Sequence, residues 1–442
     1  MKYSIITLGC RVNQADSLGF EEAFQDAGAS AAPHDQADLV VVNTCSVTAS
    51  ADQSARQTIR RVARDNPRAR IVVTGCYATR RPDEVCDLPN VARVLSNDDK
   101  PRLVQILRRL DAGGAFAAPE GRSGSAETTT AERFGEGEGS CGASIEPGVA
   151  GRTAFTLRVQ TGCGEPCAYC IIPTTRGRPR STPLRDLVRE ADRVTAAGFK
   201  EIVLTGVHLG SYGRDLAPRT SLATLLRALT TFVRGRKPRQ EVLFRISSLE
   251  PMDCTTEIVD LVANEDCFAP HFHLPLQHAS HSVLTRMRRP YTIEQYADLV
   301  DAVRTRIPHA AIGSDVIVGF PGESDDDFDR LASYLETSPL THIHVFPYSD
   351  RPGTEASAMA DKVRGATIRD RGRRVREISA RLSDRFRTSQ VGAVHRALTL
   401  EDGSLVVTGN YLKVRVPPQY ARNEWVSVRI VASGDLLSGC VS

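Results

Sequence analysis

Short apolar segments alternate with helical patterns over two long stretches of this 442-residue chain, and this alternation restricts the fold more than any other feature. A βα order of this kind is typical of parallel sheets whose faces are covered by helices. In the first stretch, residues 1–111, it predicts a doubly wound parallel sheet with strands at 3–8, 39–43, 71–74 and 91–95.

The second stretch, residues 153–388, contains six candidate strands and predicts a partial (β/α)6 barrel. The strands are expected at 154–160, 201–205, 242–247, 271–276, 312–318 and 342–346. Barrels of this class carry their chemistry at the C-terminal ends of the strands. Reactive residues are therefore expected just after these segments.

Two further segments differ in composition from the βα stretches. Residues 112–152 are rich in Gly, Ala, Ser, Thr and Glu, and so few large apolar side chains cannot offset the entropy of ordering the chain. We expect a disordered linker there. Residues 389–442 contain short alternating segments, which predict a small all-β module.

The bulk composition excludes several classes of protein. A hydrophobic content of 41% and a charged content of 25% are ordinary for a globular protein, and a net charge of +3 is too small to indicate a nucleic-acid partner. Eleven cysteines are too sparse for a disulfide scaffold, so a reducing, cytoplasmic location is expected. No apolar run approaches a membrane-spanning length, and no membrane association is expected.

The first predicted barrel strand is followed by three cysteines, Cys163, Cys167 and Cys170, in a Cys-x-x-x-Cys-x-x-Cys arrangement. Three thiolates at this spacing can bind three irons of a four-iron cluster and leave the fourth iron open. Zinc sites usually show two separated ligand pairs, and neighbouring cysteines pair poorly in disulfides. Cluster ligation is the favoured interpretation, and zinc, redox or structural roles are the alternatives.

Three more cysteines, Cys10, Cys45 and Cys76, each lie at the end of a predicted strand in the first stretch. The ends of parallel strands share one edge of a sheet, where ligands bind, so these thiols can converge. The alternative is that each is a small buried apolar residue. The residues alone leave both interpretations open.

The 163–170 loop resembles the motif of the radical S-adenosylmethionine enzymes. In that superfamily the open iron is chelated by the amino and carboxylate groups of S-adenosylmethionine, and one electron from the cluster breaks the sulfonium bond to yield a deoxyadenosyl radical. The protein binds, orients and excludes water, while the cofactor carries the chemistry.

The order of motifs along the chain resembles one family of these enzymes, the methylthiotransferases. The resemblance begins with Leu8-Gly9-Cys10-Arg11-Val12-Asn13-Gln14. It continues through the segments at 43–45, 74–76, 163–173, 176–178, 204–207, 247–251, 315–323, 344–348 and 351–354. Residues 409–414 are similar to the small β-barrel RNA-binding (TRAM-like) module that ends these enzymes.

The resemblance implies two [4Fe-4S] clusters and S-adenosylmethionine as methyl donor and radical source. The cysteines of the 163–170 loop hold the radical-generating cluster. Cys10, Cys45 and Cys76 hold an auxiliary cluster, whose open iron can carry the sulfur to be inserted.

Residues 8–14 and 349–354 are most similar to the branch that acts on tRNA threonylcarbamoyladenosine. This implies insertion of a methylthio group at C2 of N6-threonylcarbamoyladenosine next to the anticodon. The implied partners are the tRNA anticodon stem-loop, an electron donor and a sulfur source, and the last two are not identified. The alternatives within the family are isopentenyladenosine in tRNA and an aspartate of a ribosomal protein.

Physical signs of RNA binding are modest. Residues 362–387 hold ten Lys or Arg against three acids, which fits either a phosphate-binding patch or a solvated helix face. Tyr411 and Lys413 could contact a base and a phosphate, or be ordinary strand residues. An electron-transfer iron–sulfur protein is the competing class, but it gives no reason for a barrel or an RNA-binding tail. The ten histidines show no metal-ligand spacing.

Overall fold

The computed structural model describes residues 1–110, 153–236, 241–400, 402–434 and 436–441, so the predicted linker at 112–152 lies outside the described residues. The chain divides into two compact units. The first combines the N-terminal residues with Arg158–Glu165 and Cys170–Glu190, and the second contains Pro166–Tyr169 and Ala191–Ser442. The limits of the three predicted domains remain predictions, because the second unit spans both the central and the C-terminal segments.

The N-terminal sheet is parallel throughout, in the order β2-β1-β3-β4-β5, which confirms the predicted fold. Its strands are β1 Lys2–Thr7, β2 Ser30–Ala31, β3 Leu39–Thr44, β4 Arg70–Gly75 and β5 Val91–Val94. Its helices are α1 Arg11–Asp26, α2 Ala49–Asp65, α3 Cys76–Arg80, α4 Pro82–Cys86 and α5 Leu103–Leu110.

Strand β3 is buried at all six positions because helices cover both faces of the sheet. Val40 and Val42 pack in one core with Ile59 of α2, whereas Val41 packs on the other side with Phe24 of α1. A strand buried on both faces has no polar alternation, which explains the continuous apolar runs in the sequence.

All six strands predicted for the central segment are present. They form two three-stranded sheets, β10-β9-β6 and β11-β12-β13, and single bridges from Phe244 to Phe268 and from Ser248 to His273 run between their neighbouring edges. Their bounds are β6 Ala154–Arg158, β9 Glu201–Thr205, β10 Leu243–Ile246, β11 His271–His273, β12 Ala311–Val318 and β13 His342–Pro347. An antiparallel pair that the sequence pattern missed joins β7, Gln160–Thr161, to β8, Arg180–Ser181.

The helices of this segment follow the strands in the expected alternation, and those that begin at Ile293 and Asp325 each start with a capping box. Their bounds are α6 Ile172–Arg176, α7 Leu184–Ala196, α8 Leu222–Gly235, α9 Thr256–Asn264, α10 His281–Arg286, α11 Ile293–Arg306, α12 Asp325–Thr337 and α13 Gly365–Ser389. Among the described helices, none combines the length and apolar character needed to cross a bilayer.

The C-terminal segment is a closed five-stranded barrel in the order β14-β15-β16-β18-β17, which confirms the predicted all-β module. Its strands are β14 Val394–Leu400, β15 Leu405–Thr408, β16 Lys413–Arg415, β17 Trp425–Ala432 and β18 Leu437–Val441. Its core includes Ala311 of β12 and Phe386 of α13, so the module shares apolar surface with the central segment.

Candidate iron–sulfur centre

Cys10, Cys45 and Cys76 lie just beyond the ends of three adjacent strands, β1, β3 and β4. The register pairs Thr7 with Asn43 and Thr44 with Gly75, so the strands end at the same edge of the sheet. Cys45 and Cys76 are buried and Cys10 is exposed. The three cysteines therefore follow strands that end at one edge of the sheet, with Cys10 on the solvent side, and their binding of one cluster stays a prediction.

The backbone allows this close approach through Gly9. Its φ is +95°, and a Cβ built there would lie 2.5 Å from the Cβ of Cys45 and 2.8 Å from its Sγ. Any other residue would collide with the Cys45 side chain. The Asn13 amide then ties the two loops together, because its Nδ2 donates to the carbonyl oxygens of Leu8 at 2.8 Å and Thr44 at 2.9 Å.

The three thiols influence one another electrostatically. Burial raises the pKa of Cys45 to about 11, and the sulfurs of Cys10 and Cys76 add to the increase. Burial also acts to raise the pKa of Cys76, but the positive charges of Arg176 and Lys100 outweigh it and the net shift is downward. The site therefore presents neighbouring sulfurs in a region of positive potential.

This positive potential comes from a buried network around Asp16. The Asp16 carboxylate contacts Lys100 Nζ at 2.7 Å, Arg176 Nη2 at 3.4 Å and the guanidinium of Arg158. Burial acts against ionisation of Asp16, but the three cations hold its pKa far below the ordinary range. Arg176 Nη2 also donates to Asn13 Oδ1 at 2.5 Å, which links the network to the cysteine loops.

Arg176 and Lys100 also lie near Cys76, where their positive charges favour the thiolate form of its side chain. Anionic thiolate ligands at this edge of the sheet would in turn help to compensate the buried cations. Asn97 Nδ2 also lies 3.7 Å from Cys76 Sγ and can donate to it. The donor set and its electrostatic environment therefore fit a thiolate-bound cluster.

The cysteines of the 163–170 loop have contacts within the unit to which each belongs. In the first unit, Cys163 N donates to Gly177 O at 3.0 Å, and Cys163 Sγ accepts from Glu165 N at 3.4 Å. In the second, Cys167 Sγ accepts from Arg289 Nη1 at 3.3 Å. Cys163, Cys167 and Cys170 are all partly exposed, and their assignment to one cluster stays a prediction from their short sequence spacing.

Arg289 joins Cys167 to a further buried group. Its guanidinium contacts the Glu250 carboxylate and donates to Tyr291 Oη at 3.1 Å. Tyr291 Oη in turn donates to Leu276 O at 2.8 Å. Burial opposes the charge of Arg289, but Tyr169, Glu250 and Tyr291 raise its pKa, so it stays cationic beside the cysteine.

The sequence patterns missed most of the polar residues around these cysteines. Asn13 and Arg176 lie inside motifs that carry the family resemblance, so a signal for them existed. Lys100 and Arg158 carried none, because they are 84 and 142 residues from their partner Asp16.

Two groups considered for RNA contact also have partners within the protein. Several guanidinium groups of α13 pair with acids of the preceding segment, among them Arg371 with Glu323, and Arg374 with Asp329. The ring of Tyr411 lies under the Arg245 guanidinium at 4.6 Å, and about half of the residue remains exposed. Tyr411 therefore packs the module against the central segment, and its contact with RNA stays a prediction.

Family models match two parts of the chain. Residues 2–96 match the Uncharacterized protein family UPF0004, and residues 157–335 match the Radical SAM superfamily. A solved structure with a similar fold is the radical S-adenosylmethionine methyltransferase TsrM from Kitasatospora setae. It has a TM-score of 0.58 and 14% identity, over 80% of this chain and 73% of that one. Fold and cysteine loop together define a radical S-adenosylmethionine enzyme.

Similar proteins identify the family within the radical S-adenosylmethionine enzymes. The threonylcarbamoyladenosine tRNA methylthiotransferase MtaB of Bacillus subtilis is 36% identical over 92% of this chain and 88% of its own. Its namesake in Aquifex aeolicus is 36% identical over 94% and 96%. The chain belongs to the methylthiotransferase family, which uses S-adenosylmethionine and two [4Fe-4S] clusters.

Two relatives with other names match at lower identity than these two. A tRNA-2-methylthio-N(6)-dimethylallyladenosine synthase of Fusobacterium nucleatum is 30% identical over 86% of this chain and 84% of its own. The ribosomal protein uS12 methylthiotransferase RimO of Chloroflexus aurantiacus is 31% identical over 92% and 90%.

Proposed function

We propose that this enzyme inserts a methylthio group at C2 of N6-threonylcarbamoyladenosine next to the anticodon of tRNA. The observation that carries the proposal is the position of Cys10, Cys45 and Cys76 at one sheet edge, where Arg176 and Lys100 lower the pKa of Cys76. The threonylcarbamoyl branch is supported by the greater identity to relatives of that name.

The two sets of cysteines have separate roles in this proposal. Cys163, Cys167 and Cys170 hold the cluster that binds S-adenosylmethionine, and Cys10, Cys45 and Cys76 hold the auxiliary cluster. When bound, these groups supply the radical and the sulfur for replacing an unactivated aromatic C–H bond. An electron donor and a sulfur source are required, and the cytoplasm is the compartment in which tRNA and free thiols coexist.

The polypeptide's own contribution is positioning and charge. Asn13 holds the Cys10 and Cys45 loops at a fixed separation through its two backbone contacts. Arg176, in the helix that follows Cys170, brings a fixed positive charge to Cys76. In a buried site such a charge stabilises anionic sulfur without reorganisation.

Iron content tests the cysteine assignment. Reconstituted wild-type enzyme should hold about eight irons per chain, and the triple variant Cys10→Ala/Cys45→Ala/Cys76→Ala about four, because each cubane contains four. Cys86→Ala is the matched control, since it removes an exposed thiol of the same sheet domain outside the set. Wild-type iron content in the triple variant would refute the auxiliary site.

Nucleoside analysis tests the substrate. In a strain lacking this gene, digested tRNA should lose the methylthio derivative of threonylcarbamoyladenosine, and the wild-type gene should restore it while the triple variant should not. Loss of the methylthio mark from isopentenyladenosine would assign the enzyme to the second tRNA branch. A mass deficit in ribosomal protein uS12 would assign it to the third.

A further inference from the structure

Three histidines meet in the second unit, on strands that carry none of the predicted cluster ligands. His273 belongs to β11, and His342 and His344 belong to β13, on the two sides of strand β12. The ligand-capable nitrogens of the three rings all lie within 4.8 Å of one another. His342 and His344 are two positions apart on one strand and therefore share a face of the sheet.

Hydrogen bonds determine which nitrogens are available for a ligand. His273 Nε2 lies 2.9 Å from Asp315 Oδ1, and a carboxylate there keeps the proton on Nε2, so Nδ1 carries the free lone pair. His342 Nδ1 lies 3.1 Å from Thr341 Oγ1, which leaves its Nε2 facing the other rings. A carboxylate–histidine pair of this kind is the usual support of a metal-binding imidazole.

Gly313 provides the space in which these nitrogens converge. A Cβ built on Gly313 would lie 2.2 Å from His342 Nε2 and 2.9 Å from His273 Nδ1. Both nitrogens therefore approach the one position on β12 that has no side chain. The same two atoms are those that the hydrogen bonds leave with a free lone pair.

A cation can reach this histidine group from solvent. His344 is exposed, whereas His273 and His342 are partly buried. Neutral imidazole is the form that binds metals.

We propose that His273, His342 and His344 form a binding site for a divalent first-row transition cation, with Zn²⁺ as the best match. Imidazole nitrogen is a preferred ligand of zinc, copper and nickel, whereas calcium and magnesium require oxygen. Three protein ligands with an exposed side leave a coordination position for water or another ligand, as in zinc sites that take part in chemistry. The proposal uses no residue of the two cysteine sets.

The test is metal content of tag-free, fully reconstituted enzyme dialysed against micromolar Zn²⁺. Wild-type enzyme should retain about one zinc per chain beside its irons, and X-ray absorption at the zinc edge should show nitrogen neighbours at about 2.0–2.1 Å. His344→Ala changes an exposed side chain and should lower zinc affinity at least tenfold with no loss of iron. The matched control His281→Ala, an exposed histidine at the start of α10, should behave as wild type.

Gly313→Ala gives an independent perturbation, because its methyl group would displace the rings without removing a ligand. It should also weaken zinc binding, while the irons are retained. The proposal fails if wild-type enzyme holds no stoichiometric zinc, if His344→Ala holds as much as wild type, or if the zinc neighbours are sulfurs at about 2.3 Å. Because iron is counted in the same samples, failure of this site is distinguishable from failure of the cysteine assignment.

Discussion

The buried carboxylate of Asp16 offers the sharpest test of how the auxiliary centre is held together. Asp16 contacts Lys100, Arg158 and Arg176, and the side chains of all four are at most 10% exposed. Replacing Asp16 by Asn keeps the shape of the side chain but removes the negative charge that contacts these three cations. Loss of one partner from a buried ion pair costs about 3–5 kcal/mol, because the remaining charge has neither water nor counter-charge.

The measurement is the unfolding temperature of the first unit, determined by anaerobic calorimetry. Hydrogen exchange of β1, β3 and β4 measures the same loss of stability locally. For a unit of this size, about 3–5 kcal/mol corresponds to a decrease of roughly 6–20 °C. Asp98→Asn is the matched control. Asp98 pairs with Arg180 in the same unit, but their side chains are 73% and 47% exposed, so the expected loss is only about 0–1 kcal/mol.

The pH dependence provides a second readout. The folded-state pKa of Asp16 is held below its unfolded value, so its stabilisation is present above the ordinary carboxyl range and is lost as pH falls. The difference between wild type and Asp16→Asn should therefore shrink below about pH 4. Equal unfolding temperatures for Asp16→Asn and Asp98→Asn at neutral pH would refute this account of the network.

Two further predictions concern the RNA-binding module and a buried histidine. Replacing the exposed Lys413 and Arg415 of β16 by Ala should reduce the salt slope of tRNA binding by about 1.4–1.8, whereas Arg374→Ala/Arg381→Ala, whose guanidiniums already pair with acids, should leave it unchanged. Burial lowers the pKa of His278 to about 3, so its contribution is present above about pH 6.5 and is lost on acidification by about 1.4 kcal/mol per pH unit. His278→Asn should flatten the stability profile between about pH 6 and 4 in urea titrations, and an unchanged profile would contradict a neutral buried ring.

The module also shows why truncation is a poor test of RNA binding. Its core shares Ala311 and Phe386 with the central segment, and Arg245 beneath it donates from Nη1 to Gly409 O at 2.8 Å. Arg245 also pairs with buried Glu201 at 2.7 Å. Deleting the module would expose these groups to water, so point variants on β16 separate RNA contact from stability.

The amino-acid sequence by itself determined most of the strands, the alternation of strands and helices, and the position of the cysteines at strand ends. Runs such as Leu39–Thr44 are apolar at successive positions because both faces of the strand are covered, and a cysteine that follows such a run must lie at the sheet edge. These features depend on neighbours two to four positions apart, so a linear pattern records them.

Only the tertiary structure shows the charge network around Asp16, the packing of Tyr411 under Arg245 and the histidine group. Asp16 contacts Arg158 although the two are 142 positions apart in sequence, and His273 meets His342 only because β11 and β13 both pair with β12. No periodicity links such residues, since their contacts are created by strand pairing and by the need to compensate buried charge. Local periodicity encodes helices and strands, whereas buried charge networks and ligand-binding groups form only when distant helices and strands pack together.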